Sequence, residues 1–350
     1  MAILPAFAHA RENSELTALV SDDEEKLKTL GGKYDVTGRF SYDEYEECLE
    51  RVDAVFIALP NSLHAQYTIA AAKAGVHVLC EKPMAVTVDE CEAMIAATRE
   101  NAVKLMIAYR LHFEDVNLKA VELVAGGHIG EPKVFNSTFT MQVDPDNIRA
   151  KRALGGGTLY DIGVYCINAA RYLFRSEPKE VMACSVNSAP DRLPEIDEST
   201  ASVLRFDGER VASFITSFNA ADTGWYEIVG TKGSLRLDPA YEYKNGLAYE
   251  LTVDGKTTRK ESTPRDQFAA ELLYFSDCIL NDRNPEPSGE EGLQDVRIVT
   301  ALYESAETGR PVQIPPYEPA ARPDLQQEIH RPPVRTPPEP VGAKAPRNDS

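Results

Sequence analysis

The sequence predicts an α/β protein in two parts: a doubly wound parallel sheet, then an α+β domain built on a largely antiparallel, open sheet. Three observations predict it. Short apolar runs alternate with helical segments up to residue 108, as strands buried on both faces do. From residue 180 to 253, β-rich segments follow one another with no helix between them. And 350 residues with 43% apolar side chains can bury enough surface for two cores.

Taken in order, 15–20 reads as a strand, and the charged stretch 22–33 as a helix loosened near its end by Gly31-Gly32. A helix over 42–50 precedes the buried strand 52–58, which Pro60-Asn61-Ser62 stops. These residues cap the next helix, 63–74, and Gly75 ends it. Strand 76–80 runs into the turn Glu81-Lys82-Pro83, whose Lys-Pro bond can be cis, as such turns sometimes require. Thr87 and Glu90 have capping-box spacing and open a helix to 101, followed by the buried strand 103–108. A dinucleotide-binding sheet of the Rossmann type begins with a strand and a G-x-G-x-x-G/A turn, whose bare backbone lets a pyrophosphate approach a helix N-terminus. Nothing ahead of Glu15 supplies either, and 3–10 reads as the helix that follows such a turn. The chain is therefore expected to start just past its phosphate-binding loop.

The pattern changes after Tyr109. A helix over 114–125 leads to the long strand 133–142, and Gly155-Gly156-Gly157 opens a helix over 158–174. Strands are expected at 180–187, 199–206, 210–218, 225–230, 233–237 and 248–253, with a hairpin at Asp207-Gly208. Helices over 266–280 and 290–308 close the folded part. The domains are thus expected at 1–109 and 110–314. Residues 315–350 hold ten prolines and few large apolar side chains, and are expected to form a disordered tail.

Charge and cysteines narrow the partners. With 55 acidic against 37 basic residues the formal net charge is −18. A nucleic-acid duplex or an anionic membrane surface repels such a chain, so the expected partner is a small molecule. The six cysteines form no C-x-x-C pair and suit a reducing, cytoplasmic compartment, with a periplasmic one left open. No metal spacing is present among the six histidines.

Two places carry chemistry. A lysine and a glutamate where a buried strand meets its loop are costly to desolvate, and the ligand crevice of an open parallel sheet lies at that carboxyl edge. Lys82 stands there, with His64 as a second candidate to line the crevice. On helix 158–174, Asp161, Tyr165 and Asn168 fall at i, i+4 and i+7 on one face. They make either a polar wall for a hydroxylated ligand or a hydrogen-bonded buried patch; spacing does not choose. A phenol ordinarily titrates near a pKa of about 10, and a nearby ammonium favours the phenolate. Lys82 with Tyr165 is therefore a coherent acid/base pair for interconverting hydroxyl and carbonyl, with Asp161 orienting the substrate and holding the lysine charged.

With Pro60-Asn-Ser-Leu-His64, Cys80-Glu-Lys-Pro-Met84 and Gly155-Gly-Gly-Thr-Leu-Tyr-Asp-Ile-Gly-Val-Tyr165 assembled, the chain resembles the Gfo/Idh/MocA family of NAD(P)-dependent sugar oxidoreductases, over 3–311. The glucose–fructose oxidoreductase branch shares its tyrosine at 165. The resemblance implies Lys82, Tyr165 and Asp161 as catalytic residues. It implies a nucleotide along Ser21, Lys26, Leu59, Pro60, Asn61, His64, Glu81, Lys82 and Arg110, and a sugar or polyol against Lys82, Arg149, Asp161, Tyr165 and Asn168. The expected reaction moves a hydride between a sugar hydroxyl, the C1 of an aldose, and nicotinamide. A pentose or trans-dihydrodiol dehydrogenase, or a cofactor-defective binding or assembly paralogue, is the alternative. Ser21 and Lys26, where an acidic residue normally takes the ribose of NAD, favour NADP, while Asp22 and Asp23 beside them pull toward NAD. The open sheet is expected to join copies into a homodimer or homotetramer.

Overall fold

The computed structural model describes residues 3–334. Its first part is a parallel sheet in two pieces. Strands β1 (Ala18–Val20) and β2 (Gly38–Phe40) pair with each other; β3 (Ala54–Ile57), β4 (His77–Glu81) and β5 (Leu105–Ala108) pair separately. Strand β2 is an addition to the expected elements, because Gly-Arg-Phe is too short to show a period and becomes a strand only through its partner. Helices α1 (Ile3–Ala6), α2 (Glu24–Lys33), α3 (Tyr45–Leu49), α4 (His64–Lys73) and α5 (Val88–Glu100) connect or flank these strands. The capping box opens α5 as expected: Glu90 N donates to Thr87 Oγ1 at 3.2 Å, and Thr87 N to Glu90 Oε2 at 3.0 Å.

Alternate residues of β4 and β5 feed two cores, as a strand's period of two requires. Val78, Cys80 and Ile107 pack with Cys91 and Met94 of α5. Leu79 and Met106 face the other way, onto Ile3 and Ala6 and onto Leu273 and Phe275 of α8 (Gln267–Leu280).

The second part begins with α6 (Asp115–Ala125) and β6 (Pro132–Gln142), followed by a π-helical turn, Leu159–Gly163, and α7 (Val164–Phe174). Strands β7 (Pro178–Val186), β8 (Ser199–Phe206), β9 (Arg210–Ser217), β10 (Asn219–Gly230), β11 (Gly233–Leu237), β12 (Ala248–Val253), β13 (Lys256–Glu261) and, beyond α9 (Gly289–Thr308), β14 (Val312–Gln313) complete it. The nine strands lie in the order β13-β12-β11-β10-β6-β9-β8-β7-β14. Every neighbouring pair is antiparallel except β6 with β9. Strand β13 went unseen in the sequence because Lys-Thr-Thr-Arg-Lys-Glu is exposed at every position, as charged edge strands are. Helices α6, α7 and α9 cover one face, packing Ile167, Leu173 and Leu302 in one core with Phe135, Leu204, Phe214 and Tyr226 of the sheet.

Helix α9 joins the two parts, with Leu293 and Val296 in the core of β4 and β5, and Ile298 and Leu302 under the open sheet. Gly292 lets it approach: a Cβ there would lie 2.8 Å from Ile107 Cγ1 and 2.9 Å from Met84 Cβ. No helix among the described residues is long and apolar enough to cross a membrane.

The expected tail needs correction over 315–334. Arg322 donates to Glu177 at 2.7 Å and to the Arg171 carbonyl at 3.0 Å. Gln327 Nε2 donates to the carbonyl and the carboxylate of Glu286, at 2.8 and 2.7 Å. Arg331 donates to the His9 carbonyl at 3.1 Å and to Glu12 at 2.6 Å. Charged anchors, which composition does not reveal, offset the ordering entropy where apolar burial is scarce. The rest of the expected tail, 335–350, lies outside the described residues.

Candidate active site

The registers of β3, β4 and β5 bring Ile57, Cys80 and Ile107 level, so the loops after these strands emerge at one edge. Glu81 pairs with Ala108 there, Lys82 follows, and the Lys82–Pro83 bond is cis. Beneath the turn Met84 and Ala85 are fully buried. His64 is buried too, with Nδ1 2.9 Å from the Pro83 carbonyl oxygen and Nε2 3.0 Å from that of Leu59. Burial holds its pKa down, so one nitrogen carries a proton and one carbonyl accepts it. The expectation that His64 lines the crevice is thus corrected. Its ring faces inward and ties the loop after β3 to the lysine turn.

The triple-glycine segment meets this edge from the second part. Asn61 Nδ2 donates to the Gly155 carbonyl at 2.8 Å, and Tyr160 Oη to the Val86 carbonyl at 2.7 Å. Gly155 has φ +78°, and a Cβ there would sit 2.7 Å from Asn61 Cβ, so both its conformation and its space call for glycine.

Lys82 Nζ donates to the Asp161 carbonyl at 2.7 Å and reaches Asp161 Oδ1 at 3.4 Å. Arg149 Nε donates to the other carboxylate oxygen at 2.7 Å. The same ammonium lies 4.7 Å from the centroid of the half-buried Tyr165 ring. Lysine, carboxylate and phenol, from two separated places in the chain, thus meet at the sheet edge. Burial pulls the lysine pKa down, but Tyr165, Asp161 and Glu81 outweigh it and the net movement is upward. For Asp161, burial is overcome by Arg149 and Lys82, which hold the carboxyl below its ordinary range. Glu81 moves the other way: burial raises it, against Lys82. Lys82 and Asp161 therefore stay charged across neutral pH.

Two other expected ligands lie elsewhere. Asn168 is 4% exposed. It accepts from or donates to His112, Asp295 and Glu291, at 2.7, 3.0 and 3.4 Å. The π-helical turn Leu159–Gly163 alters the step from Asp161 to Asn168, and within α7 Asn168 stands three positions on from Tyr165, about 60° around the helix, and turns to α9 instead. Arg110 is 7% exposed and donates to the Tyr241 and Glu242 carbonyls and to Gln267 Oε1. Its guanidinium is spent on these neighbours and on the Tyr165 ring, 5.1 Å away, rather than held open for a nucleotide.

The remaining positions stand at the ends of β1 and β3, strands of the two separate ladders. Ser21 is largely buried and its Oγ accepts from Asp23 N at 3.2 Å. Asp23 caps α2 through Lys26 N at 2.9 Å, and Asp22 accepts from Tyr42 N at 2.8 Å. Both acidic residues beside Ser21 are thus engaged by backbone, while the Lys26 ammonium makes no ion pair among the described residues. Leu59, Pro60 and Asn61 are half-buried at the next strand end.

Sequence reasoning missed Gln267, which holds Arg110, and Glu271, which is fully buried with neither carboxylate oxygen hydrogen-bonded among the described residues. Burial and Glu81 push the Glu271 carboxyl well up, against Arg110. The available signal was two polar residues four apart in the otherwise apolar first turns of α8.

A parallel sheet that presents a lysine–phenol–carboxylate group at its carboxyl edge, closed by an open-sheet domain, defines a two-domain oxidoreductase. The chain belongs to the Gfo/Idh/MocA oxidoreductase family. The model of its NAD-binding Rossmann fold matches residues 2–109, and that of its C-terminal alpha/beta domain matches 121–314. The D-xylose 1-dehydrogenase [NADP(+)] of Haloarcula marismortui is 34% identical over 310 residues, 86% of each chain. The aldose-aldose oxidoreductase from Caulobacter crescentus, solved with glycerol, superposes with a TM-score of 0.84 at 40% identity, covering 89% of this chain and 95% of that one. KijD10, a 3-ketoreductase from Actinomadura kijaniata solved with NADP and TDP-benzene, gives 0.77 at 27% identity, covering 87% and 93%.

Proposed function

We propose that the chain is an NADP-dependent oxidoreductase that interconverts a sugar hydroxyl, at C1 of an aldose, and the corresponding carbonyl. The observation that carries this is the convergence of Lys82 and Asp161 beside the Tyr165 ring. The names of the related D-xylose dehydrogenase and aldose-aldose oxidoreductase support the substrate class. The residues present fit a nucleotide at the edge where β1, β3 and β4 end. Lys26, in the first turn of α2, offers an ammonium free of ion pairs among the described residues, as a 2′-phosphate requires, and the buried Glu271 carboxyl has unused hydrogen-bonding capacity among them. Bound there, the nicotinamide supplies the hydride acceptor or donor.

The chain's own groups handle the proton. Tyr165 takes the hydroxyl proton during oxidation and returns it during reduction, and the Lys82 ammonium stabilises the negative charge that passes through the phenolic oxygen. Asp161, itself fixed by Arg149, keeps that ammonium in place and offers a carboxylate edge to the substrate's hydroxyls. Replacing Lys82 by Met or Tyr165 by Phe is expected to lower kcat by about 10²- to 10⁴-fold, with NADP(H) affinity measured by fluorescence little changed. Near-normal kcat in either variant sinks the assignment. Assays with xylose, glucose and other aldoses then separate a pentose from a hexose enzyme.

The uncovered face of the nine-stranded sheet supports self-association. Met182, Val186, Val203 and Ile215 are 48, 56, 40 and 49% exposed, and the ladders place Met182 beside Val203 and Ala201 beside Ile215. A second copy of the same face covers this patch in a dimer or tetramer. The six unpaired cysteines suit a reducing, cytoplasmic setting.

A further inference from the structure

Arg110 stands two residues past the end of β5, one strand over from Lys82, and is almost wholly buried. An arginine is rarely so buried unless its donors are used. One terminal nitrogen donates to Gln267 Oε1 at 2.7 Å and to the Glu242 carbonyl at 3.2 Å, and the other donates to the Tyr241 carbonyl. Gln267 is held in turn, its Nε2 donating to the same Glu242 carbonyl at 3.2 Å. These bonds occupy the edge of the guanidinium. Two rings lie within reach of its plane: the Tyr165 centroid at 5.1 Å and the Tyr243 centroid at 5.5 Å. A planar cation can donate along its edge and stack on its faces at once, which an ammonium cannot.

Tyr165 therefore meets two cations of different kinds. Lys82, at 4.7 Å, is itself bound to Asp161. Arg110 makes no ion pair among the described residues; its hydrogen-bond partners are two carbonyls and an amide. Its anchors come from the loop between β11 and β12 and from the start of α8, both outside the parallel sheet.

We propose that Arg110 is a positioning residue for the reaction: it fixes the plane of the Tyr165 ring and ties it to the loop that carries Tyr241–Tyr243. The proposal rests on the acid/base role of Tyr165. Misplacing a reacting group by about 1 Å can cost about 10²-fold in rate, so a loosened ring lowers kcat more than it changes substrate or nucleotide affinity.

The test compares Arg110→Met with Gln267→Leu, which leaves the cation but removes part of its hold. In Arg110→Met, kcat is expected to fall by roughly 10- to 100-fold, with the KM for xylose and the Kd for NADPH within about threefold of wild type. Gln267→Leu shows a smaller fall of the same kind, and carries the test if Arg110→Met does not fold. In a Tyr165→Phe background, Arg110→Met changes the residual rate little. A crystal structure of the variant shows the Tyr165 ring rotated or in two orientations, a readout that needs no turnover. Unchanged kcat, an unmoved ring, or a loss confined to NADPH affinity overturns the proposal. Normal behaviour of Arg110→Met alongside an inactive Tyr165→Phe discards Arg110 alone, whereas an active Tyr165→Phe discards the function assigned to that phenol.

Discussion

Asn168 and Tyr165 are three positions apart on one helix and end in opposite surroundings. The phenol sits at the seam between the two domains, and the amide lies inside a buried polar network. There His112 bridges Asn168 and Glu286, and Arg171, fully buried, is bound by Glu177 and Asp295 at 2.7 and 2.6 Å. Removing one member of such a network strands the charges it served. Asn168→Ala is expected to cost about 2–4 kcal/mol in urea denaturation while leaving the KM for sugar within about twofold. A raised KM at unchanged stability would return Asn168 to the substrate site. Lys82, Asp161 and Tyr165 were legible because ionisable groups at strand and helix ends rarely have a purely structural reason to be there. Asn168 was misplaced because a shared helix face does not say which neighbour it meets: three positions on from Tyr165, it faces the acidic residues of α9, and the π-helical turn before α7 leaves no mark in residue spacing. Gln267 could not be read as a partner of Arg110, since 157 positions separate them.

At the scale of elements, the apolar strands and the capped helices were legible because their signals are local. Where pairing alone makes the strand, as in β2, β13 and β14, sequence was silent. Helix α6 offers a test of how a cap behaves when buried. Glu114, its N-cap, is 4% exposed and accepts from Asn117 N at 2.7 Å and Asn117 Nδ2 at 2.9 Å. Burial, with the neighbouring Asp115, pushes its carboxyl up to about 8. The unfolded chain releases this proton near pH 4.3 and the folded chain holds it to about 8. Between those values the folded state binds the extra proton, so this group's contribution to stability falls as pH rises. Glu114→Gln keeps an acceptor for the cap and has no such proton. The variant is expected to gain on wild type steadily from pH 5 to 8, as urea midpoints at several pH values would report. A constant difference across that range would show that Glu114 titrates normally. On the same scale, Thr87→Ala removes one half of a complete capping box and is expected to cost about 1 kcal/mol.

For the whole molecule, the two-domain plan was legible, and the way the domains are fastened was not. Helix α9 serves both cores, yet nothing in its sequence says which turn belongs to which. The open sheet face makes a prediction of its own. Charges at Val203 and Ile215, diagonal neighbours across the β8–β9 ladder, are expected to lower the mass seen by light scattering while leaving the monomer folded. An unchanged mass would place the contact elsewhere.

Residues 322–331 bind Glu177, Glu286, Glu12 and the backbone of His9, so a segment beyond the open sheet clasps residues that lie ahead of β1. Helix α8 holds the same stretch from the other side, through Asp266 to His9 and the Leu273 carbonyl to Asn13, so the clasp is shared. Arg331→Ala is expected to let a protease cut near Glu12 before the sheet domain yields, and unchanged cutting would show that α8 holds the stretch alone.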